Sequence, residues 1–281
     1  TGKIASMDYK VVSSSNVERE IIDLKPDIVI NDILNTSSSF IKSLRSKGIC
    51  VVNFEDLGSG SRYANMVFNE IYETPQIEGK SFYWGHEFVT LRDEFNEAKT
   101  NSFKSNVNEV LIMFGGVDKH NLTLVALKAI VKICKTMSIK INIVCGRGYQ
   151  FTNILKAFLS KCDYKNIELH LDTVVISKIM ELSQLAISSN GRAIYELAEM
   201  NIPSVIISHH QREFNHGFST FERGFINIGI VNVNTHSEIK NAFFKLVNDE
   251  DHRRDLYNKI LKYSFRTNKR RVIKKILSLL D

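Results

Sequence analysis

The stretch ISSNGRAIYELAEMNIPSVIIS, residues 187–208, decides the fold. It leaves an apolar run through a polar, glycine-containing turn, enters an amphipathic segment, and returns across Asn201-Ile202-Pro203 to a β-branched run. Runs that are apolar at every position, rather than at alternate ones, belong to strands covered on both faces, and a helix between two such strands makes them parallel. The same kind of run recurs along the chain: DIVIND (27–32), ICVVNF (49–54), EVLIMF (109–114), KINIVC (140–145), IELHLD (167–172), LAISSN (185–190) and PSVIIS (203–208). Helical patterns separate them, so the class is α/β with parallel sheets. Less regular strands are expected near 66–72 and 81–85, and helices at 235–248 and 250–280. No internal repeat is evident.

The chain has 281 residues, 43% hydrophobic and 24% charged, which suits two compact domains of roughly 100 to 150 residues each. Between Arg92 and Val107 the pattern breaks into DEFNEAKTNSFKSN, polar and rich in Asn and Ser, which reads as a linker. The expected division is a Rossmann-like first domain over 1–103, a second over 104–250, and C-terminal helices over 251–281. No apolar run approaches the roughly 20 residues of a membrane span, and the opening residues lack a secretory pattern, so the chain reads as cytoplasmic. Cys50, Cys134, Cys145 and Cys162 are widely spaced without a C-x-x-C pair, which argues against disulfides and zinc.

The formal charge of +6 gathers in FRTNKRRVIKKILSLLD (265–281). Val272, Ile273, Ile276, Leu277 and Leu280 form an apolar helical stripe there, so a docked helix with a wet basic face explains the charge better than a nucleic-acid site. A single stripe suits packing against the first domain or contact with a second copy. The first Met is Met7, which points to an excised domain or a processed start.

In open α/β sheets, ligands sit beyond the carboxyl ends of the strands. Four strand ends are informative. MFGGVDKHNLT (113–123) sets Gly115 and Gly116, with Asp118, between a strand and a helix; these glycines suit close approach to a phosphate or sugar, or merely a tight turn. CGRGYQ (145–150) offers Arg147, as a phosphate partner or an exposed loop residue. Ser188, Ser189, Asn190 and Gly191 form a hydroxyl- and amide-rich turn at a helix start, suited to an anion or to capping, and Glu196 lies within the next two turns, where a carboxylate takes ribose hydroxyls. The fourth end, SHHQREFNHGFSTF (208–221), clusters His209, His210 and His216. Their spacing is not that of helix-borne metal ligands and no acidic third ligand is obvious, so His210 and Gln211 are read as ligand-facing hydrogen-bonding groups or as caps.

Taken together, IND (30–32), VNFED (52–56), VFNEIY (67–72), GHEFVTLRDEF (85–95), MFGGVDKHNLT (113–123), ISSNGRAIYELAEMNIPSVII (187–207) and HQRE (210–213) resemble the GT-B superfamily of two Rossmann-like domains. More closely they resemble the UDP-sugar hydrolase of pseudaminic acid biosynthesis. The His-rich segment is similar to hydrolase-like domains fused behind acylneuraminate-type cytidylyltransferases. The resemblance implies a uracil–ribose–diphosphate site in the second domain, with Gly115 and Gly116 beside the phosphates, Ser188 to Gly191 at the phosphate-binding helix, Glu196 on the ribose and Gln211 near phosphate or sugar. Asp32 and Arg92 match positions on the cleft side of the family's first domain.

That family carries a Gly-rich loop with a His and then an Arg after its first strand; TGKIASMDYKVV, residues 1–12, supplies neither. Asp32, at a strand end, and His86, where relatives more often have an apolar residue, are the remaining candidates for a general base, although His86 beside Trp84 also reads as a surface residue. The resulting expectation is hydrolysis of a UDP-linked deoxy-diacetamido sugar for a nonulosonic acid. Its rivals are a binding or regulatory module serving a fused cytidylyltransferase, and a GT-B glycosyltransferase. No cofactor or metal is implied, since hydrolysis at an anomeric carbon proceeds without one.

Overall fold

The computed structural model describes residues 10–280. These form two compact units: one holds the chain up to Glu70, Pro75–Tyr83 and the segment from Ile273 onward, the other Ile71–Thr74 and Trp84–Val272.

In the first unit, α1 (Val17–Leu24) begins where the Asn16 side chain accepts the Arg19 N–H, and α2 (Ser38–Ser46) where the Ser37 hydroxyl accepts that of Phe40. Four strands, β1 (Ile28–Asn31), β2 (Cys50–Phe54), β3 (Met66–Asn69) and β4 (Phe82–Trp84), lie in that order, with β1–β2 and β2–β3 parallel. Ile41 and Leu44 of α2 bury against Val51 and Val67, with Ile21 and Ile22 of α1 packed alongside. The last segment returns to this unit: the Cys50 thiol faces the Leu279 carbonyl at 3.8 Å, and the Lys275 ammonium lies 4.4 Å from the centre of the Tyr83 ring.

The second unit opens with the short α3 (Glu94–Glu97) and then alternates strand and helix. The sequence is β5 (Glu109–Met113), α4 (Leu122–Met137), β6 (Lys140–Cys145), α5 (Thr152–Lys161), β7 (Ile167–Leu171), α6 (Ser177–Met180), β8 (Leu185–Ser189), α7 (Ala193–Glu199), β9 (Ser204–Ser208), α8 (Gln211–Phe214) and β10 (Phe225–Ile230). It ends on α9 (Thr235–Asn248) and α10 (Glu250–Ile260), and α11 (Asn268–Leu277) begins in it and ends in the segment of the first unit that starts at Ile273. The strands are parallel in the order β10-β9-β8-β5-β6-β7. Chain direction across the sheet reverses between β5 and β8, which makes their carboxyl ends the switch point where such sheets take ligands. Val110, Ile112, Ile141, Ile143, Ile187 and Val205 form the core, with Leu127 and Ile130 of α4 and Phe243 of α9.

Each apolar run named above is a strand, and β3 and β4 lie where less regular strands were expected. The boundary differs. Residues 84–103 pack with the second unit, not the first, because the Asn101 amide donates to the carbonyls of Met180, Ser183 and Met200. The helix expected over 250–280 is two helices. Buried Glu199 accepts the Phe265 N–H at 2.7 Å and the Arg266 guanidinium at 2.7 Å, holding the intervening segment out of helical geometry. Of the predicted C-terminal stripe, Val272 and Ile276 are buried, whereas Ile273, Leu277 and Leu280 are about half exposed. The residues TGKIASMDY, on which the expectation of a missing catalytic loop partly rests, lie outside the described residues. Among the described residues no helix is long and apolar enough to cross a membrane.

Candidate functional site

At the end of β5, Gly115 has φ 72°, a conformation L side chains rarely adopt. A Cβ on Gly115 or Gly116 would meet nothing within 4 Å, so this loop is bare on its outer side. Its inner side is tight: a Cβ on Gly146, at the end of β6, would fall 2.7 Å from the Gly116 Cα, and one on Gly148 2.8 Å from the Gly116 oxygen. The glycines of CGRG therefore seat the β6 loop against the β5 loop. Arg147 turns to Asp172, at 2.8 Å, on the surface. Asp118 takes a role other than ligand contact: buried and at φ 48°, it accepts the N–H groups of Leu122 at 2.8 Å and Thr123 at 2.9 Å. Its carboxylate thus occupies the donors at the start of α4 that an anion would otherwise use.

Register places the next turn beside that loop. Met113 pairs with Ser188 and Ser188 with Ile206, so Gly115, Asn190 and Ser208 follow at one level across β5, β8 and β9. The hydroxyls of Ser188 and Ser208 are buried without a hydrogen-bond partner. Ser189 is buried as well. Asn190, fully buried, knots the turn to the chain after β9: its amide donates to the carbonyls of Glu213 at 2.8 Å and His216 at 3.2 Å, and its side-chain oxygen accepts the Ser219 hydroxyl at 2.6 Å. Gly191 lies beside the Glu213 carboxylate, which would stand 3.7 Å from its Cβ.

His216 was grouped with its neighbours in the sequence, but the structure gives it a distinct state. Its Nδ1 lies 2.7 Å from the Asn190 carbonyl, which only accepts, so Nδ1 carries the proton and Nε2 a lone pair. Burial, helped by the charges of Arg212 and Arg192 and only partly opposed by the Asn190 carbonyl, pushes its pKa down to about 4. The ring is neutral at pH 7 and meets the Tyr72 ring edge-on at 5.2 Å.

His210 is exposed and caps α8, its Nδ1 accepting the Glu213 N–H at 3.2 Å. Gln211 is exposed on the first turn of α8, donating to the Asn215 side chain at 3.0 Å. His209 instead reaches across β8 to His120, with their Nδ1 atoms 3.2 Å apart.

Glu196 projects from α7 to Arg92, whose Nε donates at 3.0 Å; Arg92 also holds Glu94 at 2.9 Å. Burial raises the Glu196 pKa, against the lowering effect of Arg92. Arg92, expected in the first domain, thus belongs to the second unit.

The two candidate bases lie in different units. Asp32 is exposed at the end of β1, in the first unit. Its neighbours in IND and VNFED build a buried lattice: Asn31 donates to Asn53 at 2.9 Å, Asn53 to Asp56 at 2.6 Å, and Asp56 accepts the N–H groups of Thr36 and Gly58. His86, in the second unit, is held by Glu73, with Nδ1 to carboxylate 2.8 Å and a second bond from the His86 backbone at 3.0 Å. Arg223 pairs with the same carboxylate at 2.8 Å. The His86 ring lies among Phe218, Tyr263 and Phe265, at 5.3 to 6.4 Å. Burial acts to raise the Glu73 pKa, but hydrogen bonding and charge from His86, with Arg223, outweigh it and hold the carboxyl below its usual range.

The second unit therefore brings together Gly115, Gly116, Ser188, Ser189, Asn190, Gly191, His210 and Gln211 at the carboxyl ends of β5, β8 and β9, with Glu196 on α7. Sequence reading did not assign roles to His120, His209 or Glu73. For the first two a signal was present: His209 directly follows the strand run that ends at Ser208, and His120 lies in the connection after the run that ends at Phe114.

No family model matches the chain. An uncharacterized protein of Methanocaldococcus jannaschii is 29% identical over 225 residues, covering 73% of this chain and 46% of that protein. The chain thus spans about half the length of this relative. MurG of Acinetobacter baumannii superposes with a TM-score of 0.64 at 16% identity, over 96% of this chain and 82% of MurG. The UDP-GlcNAc 2-epimerase of Neisseria meningitidis, bound to UDP-GlcNAc, gives 0.65 at 12% identity, over 94% and 80%. MnaA of S. aureus, in complex with UDP, gives 0.63 at 13% identity, over 97% and 84%. The fold is GT-B-like. Two of these neighbours were solved with UDP-GlcNAc or UDP, and the GT-B-like frame accounts for a parallel sheet in each unit of this chain.

Proposed function

We propose that the second unit binds a nucleoside-diphosphate sugar across the carboxyl ends of β5, β8 and β9, and that the protein hydrolyses it with UDP as the leaving group. One observation carries the binding site: at the switch point, the bare Gly115–Gly116 loop lies level with a turn whose Ser188 hydroxyl is buried without a protein partner. A buried hydroxyl without a partner is costly, and a ligand oxygen at the strand ends would satisfy it. Arg192 and Arg212 add positive charge beside the same turn, felt by His216. The GT-B-like neighbours solved with UDP or UDP-GlcNAc support the ligand class. The finer assignment, a UDP-linked deoxy-diacetamido sugar on the route to a nonulosonic acid, rests on the motif resemblance.

Hydrolysis needs N–H groups and positive charge on the departing diphosphate and a base for water. In this reading the first need falls to the Ser188–Gly191 turn and the charges of Arg192 and Arg212, since Asp118 occupies the donors at the start of α4. For the second, Asp32 is the exposed candidate. The state of His86 favours a second reading, a binding module serving a cytidylyltransferase, because Glu73 and three aromatic rings fix that imidazole as part of the packing. Release of UDP from a UDP-diacetamido sugar, followed by coupled assay on the 281-residue chain, separates the readings. Turnover abolished by Asp32→Asn supports hydrolysis; tight binding without release supports the module.

Glu196→Ala is expected to weaken UDP binding by roughly 1 to 3 kcal/mol, the loss of a charge-assisted hydrogen-bond partner. Titration calorimetry measures it, and an unchanged affinity in a folded variant would remove Glu196 from the site.

A further inference from the structure

His120 stands in the connection between β5 and α4, and His209 directly after β9, the two strands that flank β8. Their ring planes differ by 19° and their centroids are 5.5 Å apart, while the Nδ1 atoms are 3.2 Å apart. The centroid separation matches the Nδ1–Nδ1 distance extended by two ring radii, so the rings meet edge to edge in nearly one plane. The contact is an N–H···N hydrogen bond across β8, and it requires one proton between the two nitrogens. With both rings neutral, the donor ring has a bare Nε2 and the acceptor ring an Nε2–H. One further proton leaves the Nδ1 bond in place, turns both Nε2 atoms into donors, and gives the pair one positive charge.

In the free protein the surroundings of His209 weigh against that proton. Burial of His209 disfavours it most; Glu213, from α8, and Asp118, from the β5–α4 connection, favour it; the charges of His120 and His210 oppose it. The Phe114 ring lies 6.2 Å from His209. An anion at the strand ends would tip the balance. Ser188 and Ser208, with their buried unpartnered hydroxyls, lie on the two strands that the pair spans or follows.

We propose that the His120–His209 pair is a proton-loaded group for the diphosphate: binding of the nucleotide draws one proton onto the pair, which then presents a positive charge, with an Nε2–H donor from one of its rings, to the anion. This rests on the reading of the second unit as a nucleotide-sugar site. Because the bound pair holds its proton more tightly than the free pair, affinity rises as pH falls through the bound-state pKa and levels off below the free-state one.

The test is calorimetric titration of the whole chain with UDP at pH 7.5 in two buffers of different ionisation heat, repeated from pH 8 to pH 6, with wild type, His120→Asn and His209→Asn. The wild type should take up a proton on binding and gain affinity by up to about tenfold per pH unit within the window. In either variant UDP should still bind, more weakly, with the extra proton uptake lost and the pH slope flattened. The terminal phosphate of UDP titrates near pH 6, and its contribution is common to all three proteins. Binding by the wild type with no proton uptake beyond that of the variants overturns the proposal and leaves the nucleotide site standing. Absence of UDP binding by the wild type overturns the nucleotide reading, and the proposal with it.

Discussion

Glu73→Ala is expected to destabilise the second unit by about 3 to 5 kcal/mol, the usual effect of removing one partner from a largely buried charge network. The Glu73 side chain is 14% exposed, its carboxylate receives His86 and Arg223, and Gly217 packs against its stem. Truncation leaves a guanidinium and an imidazole facing each other without the anion between them. The pH dependence fixes the cause. A carboxyl held below its usual range stabilises the fold fully above its unfolded pKa of about 4.5, and that contribution is lost as pH falls through the lowered folded value. Urea unfolding of wild type and variant should therefore show a large gap at pH 7 that narrows steadily below pH 4. A gap of equal size at pH 3 would mean that Glu73 acts through packing alone.

Asn190→Ala is expected to cost about 2 to 4 kcal/mol, since the carbonyl of buried Glu213, the partly buried carbonyl of His216 and the buried Ser219 hydroxyl all lose a partner. At about 2 to 4 °C per kcal/mol for a chain of this size, differential scanning calorimetry should record a fall of several degrees. The same side chain shapes the turn that the ligand is proposed to meet, so UDP affinity should fall by about tenfold or more even where the variant is fully folded. Retained affinity in a folded variant would show that the turn and the chain after β9 do not form one site.

The strands were legible because each is apolar at successive positions, which only a sheet covered on both faces tolerates. FINIGI escaped notice: Gly229 sits at φ 87° and the pairing with β9 slips between Asn227 and Ile230, so β10 is an edge strand with a broken pattern. The turn Ser188–Gly191 was legible as local chemistry at a strand end. The role of Asp118 was not, because a carboxylate beside Gly-Gly looks like a ligand group until its φ of 48° and its two backbone donors are seen. Long-range side-chain bonds were equally invisible. Asn31, Asn53 and Asp56 come together only once β1 and β2 pair, and Glu73, one acid in YETPQ, gains its meaning from His86 and Arg223. His86 read as a base or a surface residue for the same reason: spacing does not reveal the carboxylate that holds it.

Titration of the chain with UDP, with CMP and GDP in parallel, tests the proposed nucleotide-diphosphate site at the switch point of the second unit. Saturable UDP binding is expected that exceeds binding of CMP and GDP and weakens in Glu196→Ala. No heat of binding with UDP, or an equal response to CMP, would contradict it and leave the turn after β8 as a buried structural knot around Asn190.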